Sequence, residues 1–205
     1  MTTAGLVLLG YVLGSCPWGY WLVRIFKHED IRASGSGNIG GSNVWRTYGA
    51  KLGLPVVLLD VAKGFLPTLL GVILVSHLAG LLAGAAAMIG HSRPIFLRFA
   101  RGGKVIATGG GVLFALAPLV AVTGLAIWAS LFWVFGYPSL ASIATAIFVP
   151  IGAWLYGYPR PVLIFGIATA VVAVILHRGN LRRLRDGTET RSGIALIKRP
   201  FLRST

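Results

Sequence analysis

Long apolar stretches alternate with short polar, basic segments along the chain, and the stretches set the reading. Residues 4–23, 52–75, 78–89, 105–135, 139–156 and 161–176 are apolar, with Asp60 and Lys63 the notable exceptions in the second. A spanning helix needs about 20 such residues. No stretch shows the short alternation of a membrane barrel. The pattern predicts an all-α integral membrane protein. Gly80 and Gly84 in the third stretch form a small-xxx-small pair that allows close helix packing.

Charge gives the orientation. All but two of the 19 Lys and Arg residues, Lys63 and Arg160, fall in the segment after the first span, the segment before residue 105, or the tail after His177. The positive-inside rule places these three segments in the cytoplasm. The amino terminus then lies outside, the carboxyl terminus inside, and the number of spans is odd. Residues 105–135 must therefore cross twice or not at all; two short helices broken near Ala117-Pro118 are expected, which gives a seven-span bundle, and a re-entrant segment is the alternative that satisfies the same parity. Residues 1–191 are expected to form one transmembrane domain, and 192–205 a basic cytoplasmic tail whose Lys198, Arg199 and Arg203 contact lipid headgroups.

Leu13-Gly14-Ser15-Cys16 has the look of a lipoprotein cleavage box. No Lys or Arg precedes the apolar run, however, so a retained first span is expected. A hydrophobic share of 56%, a mean hydropathy of +0.80 and 12% charged residues exclude an ordinary soluble domain. The net charge of +14 needs no nucleic-acid partner, because orientation accounts for it. The single cysteine, Cys16, excludes an internal disulfide.

The polar stretch Ser34-Gly35-Ser36-Gly37-Asn38-Ile39-Gly40-Gly41-Ser42-Asn43-Val44-Trp45-Arg46 carries the strongest chemical signal. Its glycines free the backbone for positive φ, so that N–H groups can converge on an anion. Its Ser, Asn and Arg side chains are donors suited to phosphate. A plain flexible linker is the alternative for a Ser/Gly run.

Arg101-Gly102-Gly103-Lys104 places an ammonium beside a helix start. It is not a Walker A loop, since Val105 stands where Ser or Thr is required. The bland alternative is a lysine bound to headgroups. His177-Arg178-Gly179-Asn180, with Glu189 further on, puts a His where the last span meets water, either as a proton-exchanging group or as a solvated boundary residue. Asp60 and Lys63, at i and i+3, share a helix face. They either line a polar cavity or neutralise each other, because an ionisable group inside a span costs about 2.5–3.5 kcal/mol. His91 is a second candidate base. No His is followed five residues later by Asp, no Gly-x-Ser-x-Gly elbow occurs, and no metal-ligand spacing appears, so neither metal nor cofactor is expected.

Together, Ser34 to Arg46, Asp60-Val61-Ala62-Lys63-Gly64, Gly90 to Lys104 and His177 to Glu189 resemble the bacterial acyl-phosphate:glycerol-3-phosphate acyltransferases of the PlsY type, over roughly residues 4–190. The resemblance implies a seven-span inner-membrane enzyme with its active site on the cytoplasmic side. Such an enzyme moves a fatty acyl group from acyl phosphate to the 1-hydroxyl of glycerol 3-phosphate, giving lysophosphatidate and phosphate in the first acylation of phospholipid synthesis. By motif it assigns Ser36, Arg46, Lys104, His177 and Asn180 to catalysis. It assigns Asn38, Gly40, Gly41, Ser42, Asn43, Asp60, Lys63, His91, Gly102, Gly103 and Glu189 to substrate or phosphate binding.

Two positions depart from the family pattern. Ser42 stands where Thr is usual, and Val105 where the family continues Gly-Gly-Lys-Gly. If that last Gly needs positive φ, a β-branched Val is expected to be unable to follow it. Two rival functions use the same features. One is a transporter of a phosphate-containing anion, which no internal repeat supports. The other is a scaffold whose basic loops bind anionic lipid.

Overall fold

Apolar runs broken only by Gly, Pro and charge clusters fold as helices. In the computed structural model, which describes residues 1–192, every regular element among the described residues is helical. The chain divides into two units, Met1–Pro118 and Leu119–Thr205.

The first unit opens with α1 (Thr3–Gly14) and α2 (Trp18–Lys27). The span expected over 4–23 is thus interrupted at Ser15-Cys16-Pro17. Pro17 has no N–H to donate and its ring crowds the preceding turn, which stops α1. A 3-10 turn (Ile31–Ala33) and the glycine-rich loop lead into α3 (Gly41–Tyr48) and the long α4 (Ala50–Leu74). The stretch expected as a loop through Arg46 is therefore helical from Gly41 onward. α5 (His77–Ser92) and α6 (Ile106–Leu116) complete the unit.

Close packing rests on small residues. A Cβ on Gly10 or Gly14 of α1 would strike the backbone of Ala83 or Ala87 on α5. One on Gly84 would meet Thr68 of α4 and Val112 of α6, the close approach that the small-residue pair foretold. Beneath the glycine-rich loop, Val23, Ile31, Ile39, Val44, Leu52 and Val56 form a core that seats α2, α3 and the start of α4 together.

In the second unit, α7 (Pro118–Phe135) and α8 (Pro138–Leu155) precede α9 (Arg160–Leu176) and the basic α10 (Arg178–Arg185), which is bent by 57° from α9. The break between α6 and α7 falls at Ala117, where Pro118 cannot continue the helix. The segment after α10 folds back on the turn between α7 and α8. Ser192 N donates to Gly136 O (2.8 Å), and Arg191 Nε to Phe135 O (2.8 Å). At the other end, Tyr156 and Tyr158 at the turn between α8 and α9 reach Thr123 Oγ1 (3.0 Å) and Leu119 N (3.4 Å) near the start of α7.

Four helical stretches are long and apolar enough to cross a membrane: Thr3–Lys27, Ala50–Leu74, Pro118–Phe135 and Pro138–Leu155. A fifth follows when α9 is taken with α10. With 16 and 11 residues, α5 and α6 are shorter. Large apolar side chains stand exposed along α4 (Leu58, Ile73), α7 (Leu125, Trp133), α8 (Ile147, Ile151) and α9 (Ile164, Val171). Apolar patches of that extent require lipid rather than water. The protein is a multi-pass membrane protein. Lys198, Arg199 and Arg203 lie outside the described residues.

Candidate active site

The first unit brings four of the sequence motifs into one chain of contacts. It begins in the glycine-rich loop, where Gly35 (φ 58°) and Gly37 (φ 68°) take left-handed conformations that a side chain would strain. Gly40 and Gly41 do not need that freedom. Gly41 is instead required by close approach, since a Cβ there would collide with Val57 on α4.

Asn43, buried on the first turn of α3, ties the loop together. Its Oδ1 accepts from Ser36 N (2.9 Å), and its Nδ2 donates to Ser34 O (3.0 Å) and Asn38 O (2.9 Å). Asn38 is also committed: Oδ1 accepts from Gly40 N (2.8 Å), and Nδ2 donates to Gly102 O (3.1 Å). The two Asn amides expected to meet phosphate are therefore spent on the shape of the loop. Ser36 and Ser42 stay exposed. The N-cap of α3 is Gly40, with no side-chain hydrogen bond to the first turn. Its leading N–H groups retain the anion affinity of a helix start. Arg46 lies half-buried in the last turn of this helix.

The Asn38–Gly102 bond carries the contacts into the second glycine loop. Gly102 N and Gly103 N donate to Ser92 O (3.0 Å) and His91 O (2.9 Å), capping the open carbonyls at the end of α5. No side chain fits on either glycine. A Cβ on Gly102 would meet the His91 carbonyl, and one on Gly103 the His91 ring.

Lys104 follows, half-buried, and then Val105 with φ 63° and ψ −3° as N-cap of α6. The expectation that a β-branched residue could not take positive φ here is wrong. Val105 does so, and its 3% exposure shows how it is held there: packing around the buried side chain opposes the strain.

Behind His91 lies the ion pair. Asp60 Oδ1 sits 2.7 Å from Lys63 Nζ and 3.6 Å from His91 Nδ1. Lys63 Nζ also donates to Cys16 O (2.8 Å), at the interruption between α1 and α2. All three side chains are buried, with 2%, 5% and 4% exposure for Asp60, Lys63 and His91. Of the two sequence alternatives, this arrangement is the self-neutralised pair, here locked against a third segment.

In the second unit, His177 joins α9 to α10 and is 3% exposed, so it is not the solvated boundary residue that the sequence allowed. Its Nδ1 lies 2.7 Å from Ala173 O. A carbonyl can only accept, so Nδ1 carries a proton and donates this bond; in the neutral form of the ring the acceptor lone pair is then on Nε2. Asn180 Nδ2 donates to Glu189 Oε1 (2.6 Å), Ser139 Oγ to the same oxygen (2.8 Å), and Arg183 Nε to Oε2 (2.6 Å). Burial alone would raise the Glu189 pKa. The hydrogen bonds from Asn180, Ser139 and Arg183 outweigh it and hold the carboxyl below its ordinary range. A carboxylate so occupied organises its neighbours and is a poor phosphate ligand.

Sequence reasoning missed Ser139 and the Cys16 carbonyl. Ser139 carries no motif and lies 50 residues from its partner. A main-chain acceptor has no residue signature, although Pro17 marked the break that exposes it.

Glycine-rich, cationic loops joined through Asn38 beside the start of α3 give this multi-pass helical membrane protein an arrangement suited to anionic groups, as a membrane enzyme of phosphate-bearing substrates requires. The family model described as glycerol-3-phosphate acyltransferase matches residues 4–187. The chain belongs to the glycerol-3-phosphate acyltransferase family. A protein of that name from Desulforudis audaxviator is 46% identical over 183 residues, covering 89% of this chain and 92% of its own. One from a Roseiflexus species is 44% identical over 196 residues, with 93% and 96% covered. The crystal structure of PlsY, an integral membrane glycerol 3-phosphate acyltransferase, in its glycerol 3-phosphate form, matches with a TM-score of 0.89 at 38% identity, covering 93% of this chain and 96% of that one.

Proposed function

We propose that this acyltransferase takes its acyl group from acyl phosphate and delivers it to the 1-hydroxyl of glycerol 3-phosphate, releasing lysophosphatidate and inorganic phosphate. One observation carries the reading. The uncapped start of α3, the exposed Ser36 and Ser42 beside it and the Gly102-Gly103-Lys104 loop are fastened together through Asn38.

Two phosphate-bearing substrates bring about three to four negative charges together. Their repulsion must be met by cations and N–H donors. Lys104, Arg46, the hydroxyls of Ser36 and Ser42 and the first N–H groups of α3 serve that purpose, while Asn38, Gly40, Gly41 and Asn43 keep the loop in shape. Acyl phosphate is a mixed anhydride with a good leaving group, so no covalent enzyme intermediate is required. The hydroxyl oxygen attacks the acyl carbon, the new ester bond forms, the bond from that carbon to the phosphate oxygen breaks, and phosphate departs with its electron pair. His177 orients the acceptor or takes the hydroxyl proton on Nε2, a part that a substrate phosphate oxygen can also play. Asn180, held by Glu189, is the further catalytic residue of this reading.

The same reading holds residues 1–191 as one transmembrane domain of seven spans: α1 with α2, then α4, α5, α6, α7, α8 and α9. The amino terminus is outside, and the basic tail from 192 and the site face the cytoplasm, in the inner membrane. The contacts in the second unit support this. Residues 191 and 192 meet the turn between α7 and α8, which the scheme puts on the same side as the tail.

The test offers the purified protein in lipid either palmitoyl phosphate or palmitoyl-coenzyme A, each with glycerol 3-phosphate, and identifies products by mass spectrometry. The account predicts 1-palmitoyl lysophosphatidate from the phosphate donor alone. Turnover with the thioester and none with acyl phosphate would contradict it.

A further inference from the structure

We propose that His91 is a positioning residue, wedged between Asp60 and Gly103, that sets where the Gly102-Gly103-Lys104 loop lies; this rests on the proposed phosphate role of that loop. The ring has two working edges. Nδ1 faces Asp60 Oδ1 at 3.6 Å, and the Nε2–Cε1 edge lies where a Cβ on Gly103 would be. The backbone of the same residue accepts the Gly103 N–H (2.9 Å), so side chain and main chain both hold the loop.

Behind the ring, Lys63 fixes Asp60 (2.7 Å) and is itself anchored on Cys16 O (2.8 Å). The strut therefore runs from the broken first span through α4 and α5 to the residue preceding Lys104. On the far side of the loop, Asn38 holds Gly102 O (3.1 Å). At 4% exposure His91 presents almost no surface to a substrate, whereas its ring abuts Gly103 directly. Its effect passes through Gly103.

A loop moved by about 1 Å costs on the order of a hundredfold in rate. Gly103→Ala sets a methyl against the ring and should lower kcat/KM by about that factor. The loss should appear in the same constant, for the same substrate, that Lys104→Ala alters. Removing the ring relieves the collision, so the double variant Gly103→Ala/His91→Ala should be no worse than His91→Ala alone, a strongly non-additive cycle.

The experiment measures kcat and KM for both substrates, together with thermal stability, on the full chain in lipid. If His91→Ala does not fold, His91→Asn takes its place in the cycle. Losses that multiply, or a destabilised His91 variant with kcat/KM unchanged, overturn the positioning role and leave a packing residue. A Lys104→Ala protein at full rate overturns the phosphate role of the loop, and this inference with it.

Discussion

Val105 offers a test in which the local backbone geometry fixes the sign. At φ 63° an L-residue pays about 1–2 kcal/mol of steric strain. Its side chain is 3% exposed, so trimming it also removes buried carbon. Val105→Ala loses two carbons, about 1.6 kcal/mol at roughly 0.8 per carbon, and keeps the strain. Val105→Gly loses three, about 2.4 kcal/mol, and recovers the strain, leaving a net loss of about 0.4–1.4 kcal/mol. Glycine should therefore be the more stable variant, by roughly 0.2–1.2 kcal/mol, whereas in a helix interior alanine leads by about 0.5–1 kcal/mol. Gly110, inside α6 with open space around its Cα, supplies the internal control: Gly110→Ala should stabilise. Thermal unfolding in a single detergent reads the order, at about 2–4 °C per kcal/mol for a chain of this size. Val105→Ala unfolding at or above Val105→Gly, with Gly110→Ala behaving as expected, would refute a left-handed backbone at 105.

Other consequences are equally concrete. Lys63→Met strands the Asp60 carboxylate and should destabilise by about 3–5 kcal/mol, while Asp60→Leu with Lys63→Met should recover most of that loss, both read by thermal unfolding. Asn43→Ala removes three loop bonds and should cost about 3 kcal/mol at about 1 kcal/mol each, with faster proteolysis of the 34–40 segment as a second readout. The depressed pKa of Glu189 contributes stability that is fully present above the ordinary Glu range, about pH 4, and lost as pH falls below it. Glu189→Gln should lower stability by about 1.5–3 kcal/mol at neutral pH and flatten that acid limb.

What the sequence made legible was local or compositional. Apolar length marked the helices, Pro118 marked the break between α6 and α7, and an i,i+3 spacing put Asp60 and Lys63 on one helix face, where the structure pairs them. The remainder depended on residues far apart in the chain. The partners of Glu189 come from residues 139, 180 and 183, and only folding gathers them. Asn38 and Asn43 read as phosphate donors because composition cannot say that an amide is already bonded to its own loop. Val105 read as an obstacle because local propensity favours glycine at positive φ, and tertiary packing of a buried side chain prevailed over it.

The central claim is that acyl transfer from acyl phosphate to glycerol 3-phosphate depends on the phosphate-holding loop at Lys104. It is tested most directly by inorganic phosphate release from the lipid-reconstituted protein given palmitoyl phosphate, with and without glycerol 3-phosphate, alongside folded Lys104→Ala. The account predicts release that requires the acceptor, matches lysophosphatidate formed one for one, and collapses in the variant. Release that ignores the acceptor, or that persists unchanged in Lys104→Ala, would contradict it.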